Sequence, residues 1–183
     1  MLTLKCTKKV QTYLHLKPSE LAELVQSEEG LGAWYVNLFY VDRQKCIVFM
    51  NEKTLLSFLL FGFDRASSPK EELPEQCING IIQLLTMEDF PNDSIGALLT
   101  YSQNFRYMKT TDRKTLGNMN DLIYLYESMI LAQGGLQYCD LTGIIREINR
   151  TPQRNIDWEY PIDKAKVVLG EIAYKLKNHV IVH

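Results

Sequence analysis

The residues from Trp34 to Asn51 carry the clearest hydrophobic pattern in the chain, and they predict a β-hairpin. Residues 34–41 (WYVNLFYV) are almost all aromatic or aliphatic, which is typical of a buried strand. The polar run DRQK at 42–45 then reverses the chain. Residues 46–50 (CIVFM) show no polar alternation, which indicates a strand covered on both faces and central in its sheet.

The segment before the hairpin predicts one more strand and two short helices. Met1 to Cys6 alternates between apolar and polar residues, as a half-buried strand does. We expect Thr7 to cap a helix that ends near Leu16. The stretch ELAELVQ, which follows Pro18, predicts a further helix.

After the hairpin the pattern becomes helical. We expect Asn51 to cap a helix from Glu52 to Phe61, because an Asn side chain can accept hydrogen bonds from the free N–H groups at a helix start. Gly62 is typical of a helix end. Further helices are predicted from about Leu73 to before Phe90, over 95–104, 118–133, 141–148 and 161–177, with a polar segment at 108–114.

Strands near the start and helices afterwards predict an α+β fold. In this interpretation a small antiparallel sheet, made of the N-terminal strand plus the hairpin, is packed by several helices. We expect one domain over residues 1–183, with 17–30 as a peripheral, insertion-like segment and 178–183 as a tail.

The composition narrows the class of protein. Hydrophobic residues make up 46% of the chain, charged residues 23%, and the formal net charge is -2, so we expect a folded protein and regard nucleic acid as an unlikely partner. No apolar run is long enough to cross a membrane, and the N-terminus has no signal-peptide core. These features favour a cytoplasmic protein without a membrane partner.

Several catalytic and cofactor motifs are absent from the sequence. It contains no GxGxxG, GxxxxGK[ST], GxSxG or HExxH motif and no EF-hand spacing. The four cysteines are widely separated and no CxxC occurs, which favours buried free thiols over a zinc site. We therefore predict no metal and no cofactor, and we lean against an enzyme.

Two polar clusters remain as low-specificity candidates for ligand binding. The first precedes and begins the predicted helix at 118–133, and its candidates are Thr111, Asp112, Arg113, Asn118, Asn120 and Asp121. The second follows the hairpin and contributes Asn51 and Lys53. A helix start with Arg and Thr nearby can hold an anion, and paired carboxylates can bind a metal or perform acid/base chemistry. Ordinary helix capping explains the same residues.

Aromatic residues in the hairpin suggest a second alternative. Trp34, Tyr35, Phe39 and Tyr40 lie on predicted strands near several lysines, as stacking residues do in proteins that bind single-stranded nucleic acid. The spacing of RNA-recognition motifs is absent, and we prefer to assign these rings to the core.

Four segments of the chain resemble an uncharacterised family, the domain of unknown function 6933, found in bacteria, phages and other mobile elements. They are LKCTKKV at 4–10, the WYVNLFYVDRQKCIVFMNEKTLLSFLL run from residue 34, TTDRKTLGNMNDL at 110–122 and INRTPQ at 148–153. The family has no assigned activity, so the resemblance implies no reaction. Both polar clusters fall within the matching segments.

These observations lead us to expect a non-enzymatic interaction or regulatory module that binds a protein partner, of phage or mobile-element origin. One alternative is a cryptic enzyme or small-anion-binding domain with a polar site at the start of the 118–133 helix. The other is nucleic-acid binding.

Overall fold

The computed structural model describes residues 1–23, 30–64 and 70–180. The strands are β1 (Leu2–Cys6), β2 (Leu21–Ala22), β3 (Trp34–Val41), β4 (Gln44–Asn51), β5 (Ser57–Phe61) and β6 (Phe105–Lys109). The α-helices are α1 (Lys8–Tyr13), α2 (Glu72–Met87), α3 (Asn92–Tyr101), α4 (Arg113–Ala132), α5 (Leu141–Asn149) and α6 (Pro161–Val180). The α+β class is therefore confirmed.

The described strands form one mixed sheet in the order β2-β6-β1-β3-β4-β5. β1 runs parallel to both β3 and β6, β2 runs parallel to β6, and only the pairs β3–β4 and β4–β5 are antiparallel. The expectation of a small antiparallel sheet is thus wrong. The connection from β1 to β3 is long and contains α1 and β2, and parallel strands need a long connection of this kind.

The predicted hairpin is confirmed, with β3 and β4 in register from Trp34 opposite Asn51 to Val41 opposite Gln44. The turn consists of Asp42 and Arg43, whose φ angles are 48° and 65°. Two successive left-handed residues make a type I′ turn, whose twist matches that of the flanking strands. Residues 46–50 are all buried, as their continuous apolar pattern predicts.

The segment after the hairpin is a strand and not the helix predicted from Glu52 to Phe61. The chain turns at residues 52–55, where Leu55 has a φ of 59°, and returns as β5 antiparallel to β4. A left-handed Leu55 is incompatible with a continuous α-helix. The apolar run that follows is short, and apolar runs of this length suit a buried strand as well as a helix.

The first part of the chain also departs from the prediction. β1 is buried at all its residues and not half-buried, because it lies inside the sheet between β3 and β6. α1 ends at Tyr13, before the predicted Leu16, and His15 then adopts a left-handed φ of 53°. Where ELAELVQ predicts a helix, residues 21–22 pair with β6, and residues 24–29 lie outside the described part.

The helical second half is largely as predicted, with one missed strand and several shifted boundaries. Residues 105–109, assigned in part to the polar segment, form β6 beside β1. α3 begins and ends three residues earlier than the predicted 95–104. α4 begins at Arg113, five residues before the predicted Asn118. α6 extends to Val180, past the predicted end at 177, and residues 181–183 lie outside the described part.

Helices cover both faces of the sheet. Ser57 and Phe58 are consecutive in β5 and therefore point to opposite faces. The Phe58 ring lies so close to Gly80 of α2 that a Cβ there would be 2.3 Å from it. On the other face the Ser57 hydroxyl is 3.0 Å from the Tyr126 hydroxyl of α4. The core is thus formed between the sheet and a helical layer on each side.

Two polar contacts tie these layers together around β5, which forms one edge of the sheet. The Asn149 side chain accepts a hydrogen bond from the backbone N–H of Ser57 at 2.8 Å and donates one to its carbonyl at 2.7 Å. The buried Glu88 carboxylate at the end of α2 accepts from Arg146 at 2.8 Å and from Arg150, both on the α5 side. The outer edge of β5 is therefore covered at Ser57.

Candidate functional site

Asn51, at the end of β4, serves as a structural cap. Its Oδ1 accepts from the backbone N–H groups of Lys53 and Thr54 at 3.2 and 3.0 Å, and its Nδ2 donates to the Leu31 carbonyl at 3.0 Å. The side chain is fully buried. Asn51 thus satisfies the turn between β4 and β5 and anchors the loop that leads into β3, which leaves no polar atom of its amide for a ligand.

Lys53 and its neighbour Glu52 lie on the surface side of this turn. The Lys53 ammonium donates to the Gly30 carbonyl at 3.2 Å. The Glu52 carboxylate forms an ion pair with Lys5 of β1 at 2.6 Å, and the Lys5 side chain is only 9% exposed. The second polar cluster is therefore joined to the sheet through Glu52 and Lys5.

The Tyr35 hydroxyl is influenced by one residue at each polar cluster, Glu52 and Asp112. Among the described residues it is the one buried side-chain nitrogen or oxygen without a hydrogen-bond partner. Burial raises the pKa of this hydroxyl and the Glu52 carboxylate raises it further, whereas the Lys5 ammonium and the backbone of Asp112 act in the opposite direction. Tyr35 consequently stays neutral at physiological pH.

Asp112 caps α4, whereas the sequence places the helix start at Asn118. Its Oδ2 accepts from the backbone N–H of Thr115 at 2.6 Å and also from the Thr115 hydroxyl. These two hydrogen bonds lower the pKa of the Asp112 carboxyl. Arg113 is the first helical residue and is exposed, and Thr111 lines a hollow of about 560 Å³ beside β2.

The other candidates of the first cluster lie further along α4. The Asn118 amide oxygen accepts a hydrogen bond from Asn155. Asn120 and Asp121 are exposed. Because α4 begins at Arg113, these three residues lie beyond the first helical turn, where no free N–H groups are available for an anion. The structure therefore does not gather the predicted residues of the first cluster around one helix start.

Metal-binding and membrane-spanning features are not found in the part of the chain that the structure describes. No group of three or more His, Cys, Asp or Glu residues there could hold a metal ion. No described helix combines the length and apolar character needed to cross a membrane. The cysteines are all free; three of them are buried, and Cys139 is partly exposed.

A surface that sequence reasoning missed lies between Trp158 and α6. We name it the Trp158 hollow; it has a volume of about 500 Å³, and its lining residues are Trp158, Glu159, Tyr160, Asp163, Lys164, Val167 and Val168. The Trp158 side chain is 66% exposed and Val167 is 62% exposed. Exposed aromatic and aliphatic side chains grouped in one concavity are typical of a binding surface.

The backbone holds Trp158 in place. Asp157 and Trp158 both adopt left-handed φ angles, 59° and 62°. The backbone N–H of Trp158 donates to the backbone carbonyl of Gln153 at 3.0 Å, and the backbone N–H of Gln153 donates to the backbone carbonyl of Glu159 at 3.0 Å. The loop is thus a closed, hydrogen-bonded turn. No local sequence signal distinguishes a tryptophan on such a turn from a core tryptophan.

Acidic side chains outnumber basic ones among the residues that line the Trp158 hollow. Lys164 forms an ion pair with Glu159 at 3.4 Å. The Asp163 carboxylate, in the first turn of α6, has no ion-pair partner among the described residues. The rim of the hollow is therefore acidic.

Comparisons with known proteins assign the chain to a family. The sequence matches no curated protein. The model of the family described as "Domain of unknown function (DUF6933)" matches residues 3–164, which include the hairpin, both polar clusters and Trp158. Since this match covers most of the chain, the protein belongs to the DUF6933 family, as the resemblance of its motifs predicts.

Proposed function

We propose that this protein is a non-enzymatic interaction module that binds a protein partner through the Trp158 hollow. One observation carries the proposal: the side chain of Trp158 is largely exposed, and Trp158 and the preceding Asp157 both have a left-handed backbone conformation. A left-handed backbone at a non-glycine residue costs about 1–3 kcal/mol, and conformations of this kind persist only where the surrounding structure over-determines them, often at binding sites. In this protein the hydrogen-bonded turn presents the indole ring of Trp158 to solvent.

Trp158 and its neighbours have the composition of an interface centre. Tryptophan and tyrosine are enriched among the residues that dominate the binding energy of interfaces, because they bury a large area and lose little conformational entropy. Tyr160 and Val167 add apolar surface beside the indole. Tyr174, which is 68% exposed, lies seven residues after Val167 and so extends the same face of α6.

The charges of the rim indicate the chemistry of the partner. Because Lys164 is paired with Glu159, Asp163 is the carboxylate available to a ligand at this rim. We expect the partner to insert an apolar side chain beside Trp158 and to place a lysine or arginine near Asp163. The apolar contact should dominate, since exposed ion pairs contribute only about 0.2–1 kcal/mol.

The cellular location of this interaction is part of the same proposal. Four free cysteines, three of them buried, suit a reducing compartment. We therefore place the protein in the cytoplasm and expect its partner there.

The experiment compares Trp158→Ala with Tyr138→Ala as the matched control. Tyr138 is 79% exposed and does not line the hollow, so the control removes an equally accessible aromatic ring. Each immobilised protein is used to capture proteins from its source cells, and the captured partner is then purified and titrated by calorimetry. We expect wild type and Tyr138→Ala to bind alike and Trp158→Ala to bind about 30-fold more weakly, as the loss of a dominant interface residue predicts.

Two results would contradict the proposal. One is capture of the same partner with equal affinity by Trp158→Ala. The other is a partner whose binding is weakened equally by Tyr138→Ala, which would assign the interaction to another surface.

A further inference from the structure

A second concavity, independent of the Trp158 hollow, lies where α1 packs beside the hairpin. It has a volume of about 440 Å³ and is lined by Lys8, Lys9, Thr12, Tyr13, Leu38 and Tyr40. We name it the cationic hollow. Its volume falls within the range of about 300–1,000 Å³ that is usual for sites of small ligands.

Positive charge is concentrated at this hollow. Lys8 and Lys9 are exposed on α1, and the Lys45 ammonium lies 3.8 Å above the centre of the Tyr13 ring. Arg43 is exposed in the adjacent turn. None of the described residues that line the hollow is acidic, although the chain as a whole carries a formal charge of -2.

Asp42, the acidic residue nearest in sequence to Arg43 and Lys45, faces away from the hollow. The Asp42 carboxylate lies against Gly135, in the connection between α4 and α5. That connection belongs to the side of the sheet that α4 covers, whereas Lys45 pairs with Tyr40 on the side of α1. The Asp42 carboxylate is therefore directed toward Gly135 and does not line the hollow.

The hollow also offers an aromatic ring to a ligand. Tyr40 is 56% exposed, although its strand neighbours Phe39 and Val41 are buried. Tyr13 also lines the hollow and is held by a hydrogen bond from its hydroxyl to the Phe63 carbonyl at 2.9 Å. Of the hairpin aromatics, Tyr40 is thus the one whose ring remains available for stacking.

We propose that the cationic hollow binds a nucleotide unit, with the phosphate held by Lys8 and Lys9 and the base stacked on Tyr40. An exposed aromatic ring beside a row of cations is the arrangement that proteins use to hold single-stranded nucleic acid. The overall charge argues against a general nucleic-acid coat, but it averages over the chain and does not describe this local excess. The same chemistry would recognise a free nucleotide.

The experiment measures binding of two probes to the intact protein at low salt. One is a fluorescent oligothymidylate of about 12 nucleotides, within the usual range of such sites, followed by anisotropy. The other is thymidine monophosphate, followed by calorimetry. Binding of the oligonucleotide alone assigns the hollow to a strand, and binding of both probes assigns it to the nucleotide unit itself.

Variants locate the site and test each half of the proposal. Lys8→Ala combined with Lys9→Ala is expected to lower the salt dependence of oligonucleotide binding by about 0.7 in log–log slope, since the two lysines hold one phosphate and each neutralised phosphate contributes about 0.7 for single strands. Tyr40→Ala is expected to weaken binding about five- to 140-fold, as the loss of one stacked base predicts.

Matched controls remove the same groups elsewhere. Lys114→Ala combined with Lys175→Ala removes two exposed lysines, and Tyr124→Ala removes an exposed tyrosine of α4. Neither control should change the affinity for the oligonucleotide by more than about two-fold, because these groups contact no phosphate or base. The proposal is overturned if neither probe binds, if the lysine control weakens binding as much as the Lys8 and Lys9 variant, or if Tyr40→Ala binds as well as wild type.

Discussion

Replacing Asn149 by alanine tests how the edge of the sheet is stabilised. Its side chain pairs with both the N–H and the carbonyl of Ser57 and donates a third hydrogen bond to the Ile145 carbonyl at 2.9 Å. Both Asn149 and Ser57 are fully buried, so water does not replace the lost partners. Asn149→Ala therefore leaves two buried backbone groups of Ser57 unpaired.

The expected magnitude follows from those two groups. A buried donor or acceptor without a partner costs about 1–3 kcal/mol, so the free energy of unfolding should fall by about 2–6 kcal/mol. This is a large part of the total for a domain, which is about 5–15 kcal/mol. With a urea m-value of about 2 kcal/mol per molar, the midpoint should decrease by about 1–3 M.

Urea unfolding followed by the fluorescence of the buried Trp34 measures this change, with Asn155→Ala as the matched control. The Asn155 amide also donates to another side chain, that of Asn118, but this contact is exposed. Its loss should change the free energy of unfolding by no more than about 0.5 kcal/mol. If the two variants lose equal stability, the edge of β5 does not depend on the amide of Asn149.

Two further predictions concern the cap of α4 and the cysteines. Asp112→Ala should lower the free energy of unfolding by about 1 kcal/mol at neutral pH. Because hydrogen bonds from Thr115 lower the pKa of Asp112, its carboxylate contributes fully only above its unfolded pKa of about 4. Thermal unfolding should therefore show that the stability difference between variant and wild type shrinks as the pH falls through and below that value, and a difference that does not change with pH would refute this. A thiol reagent should modify Cys139 first in the folded protein, because Cys139 is partly exposed whereas the other three thiols are buried. Burial raises the pKa of all four thiols, that of Cys46 to about 11. Peptide mass spectrometry showing equal rates at several cysteines before unfolding would contradict the prediction.

The hairpin was predictable because its signal is local. Residues 34–41 and 46–50 are apolar strands separated by a polar reversal, and the two strands are adjacent in sequence. α2 was predictable for a similar reason, since its apolar residues recur at helical spacing. A strand whose partner is close in sequence, or a helix that buries one regular apolar stripe, can be predicted without knowledge of the rest of the fold.

β1 and β6 show where local reasoning fails. They pair with each other although more than ninety-five residues separate them, as in Leu4 opposite Tyr107. The apolar and polar alternation at β1 predicts one exposed face, but the position of β6 beside it buries the polar residues Thr3 and Lys5 as well. Pairing between distant strands decides burial here, and no sequence window contains both strands.

The capping role of Asn51 follows from the sequence, but the kind of segment that it caps does not. Asn51 does accept hydrogen bonds from the two backbone N–H groups that a cap predicts, but the capped segment is a turn. The apolar stripe becomes regular only at Asn118 and so predicts a late start of α4, although Asp112 and Thr115 already have the spacing of a cap and its N3 residue. Trp158 gave no local signal, because exposure depends on the packing of α6.

The covered edge of β5 has a consequence for assembly. A strand that adds to a sheet must pair with the free N–H and carbonyl groups of an edge, and at Ser57 those groups are already bonded to Asn149. Growth into a fibre needs two open edges in every copy, so that each molecule can accept one neighbour and offer itself to the next. The two bonds to Asn149 would have to break before another strand could pair with β5 at Ser57, so they oppose strand addition at that end of the edge.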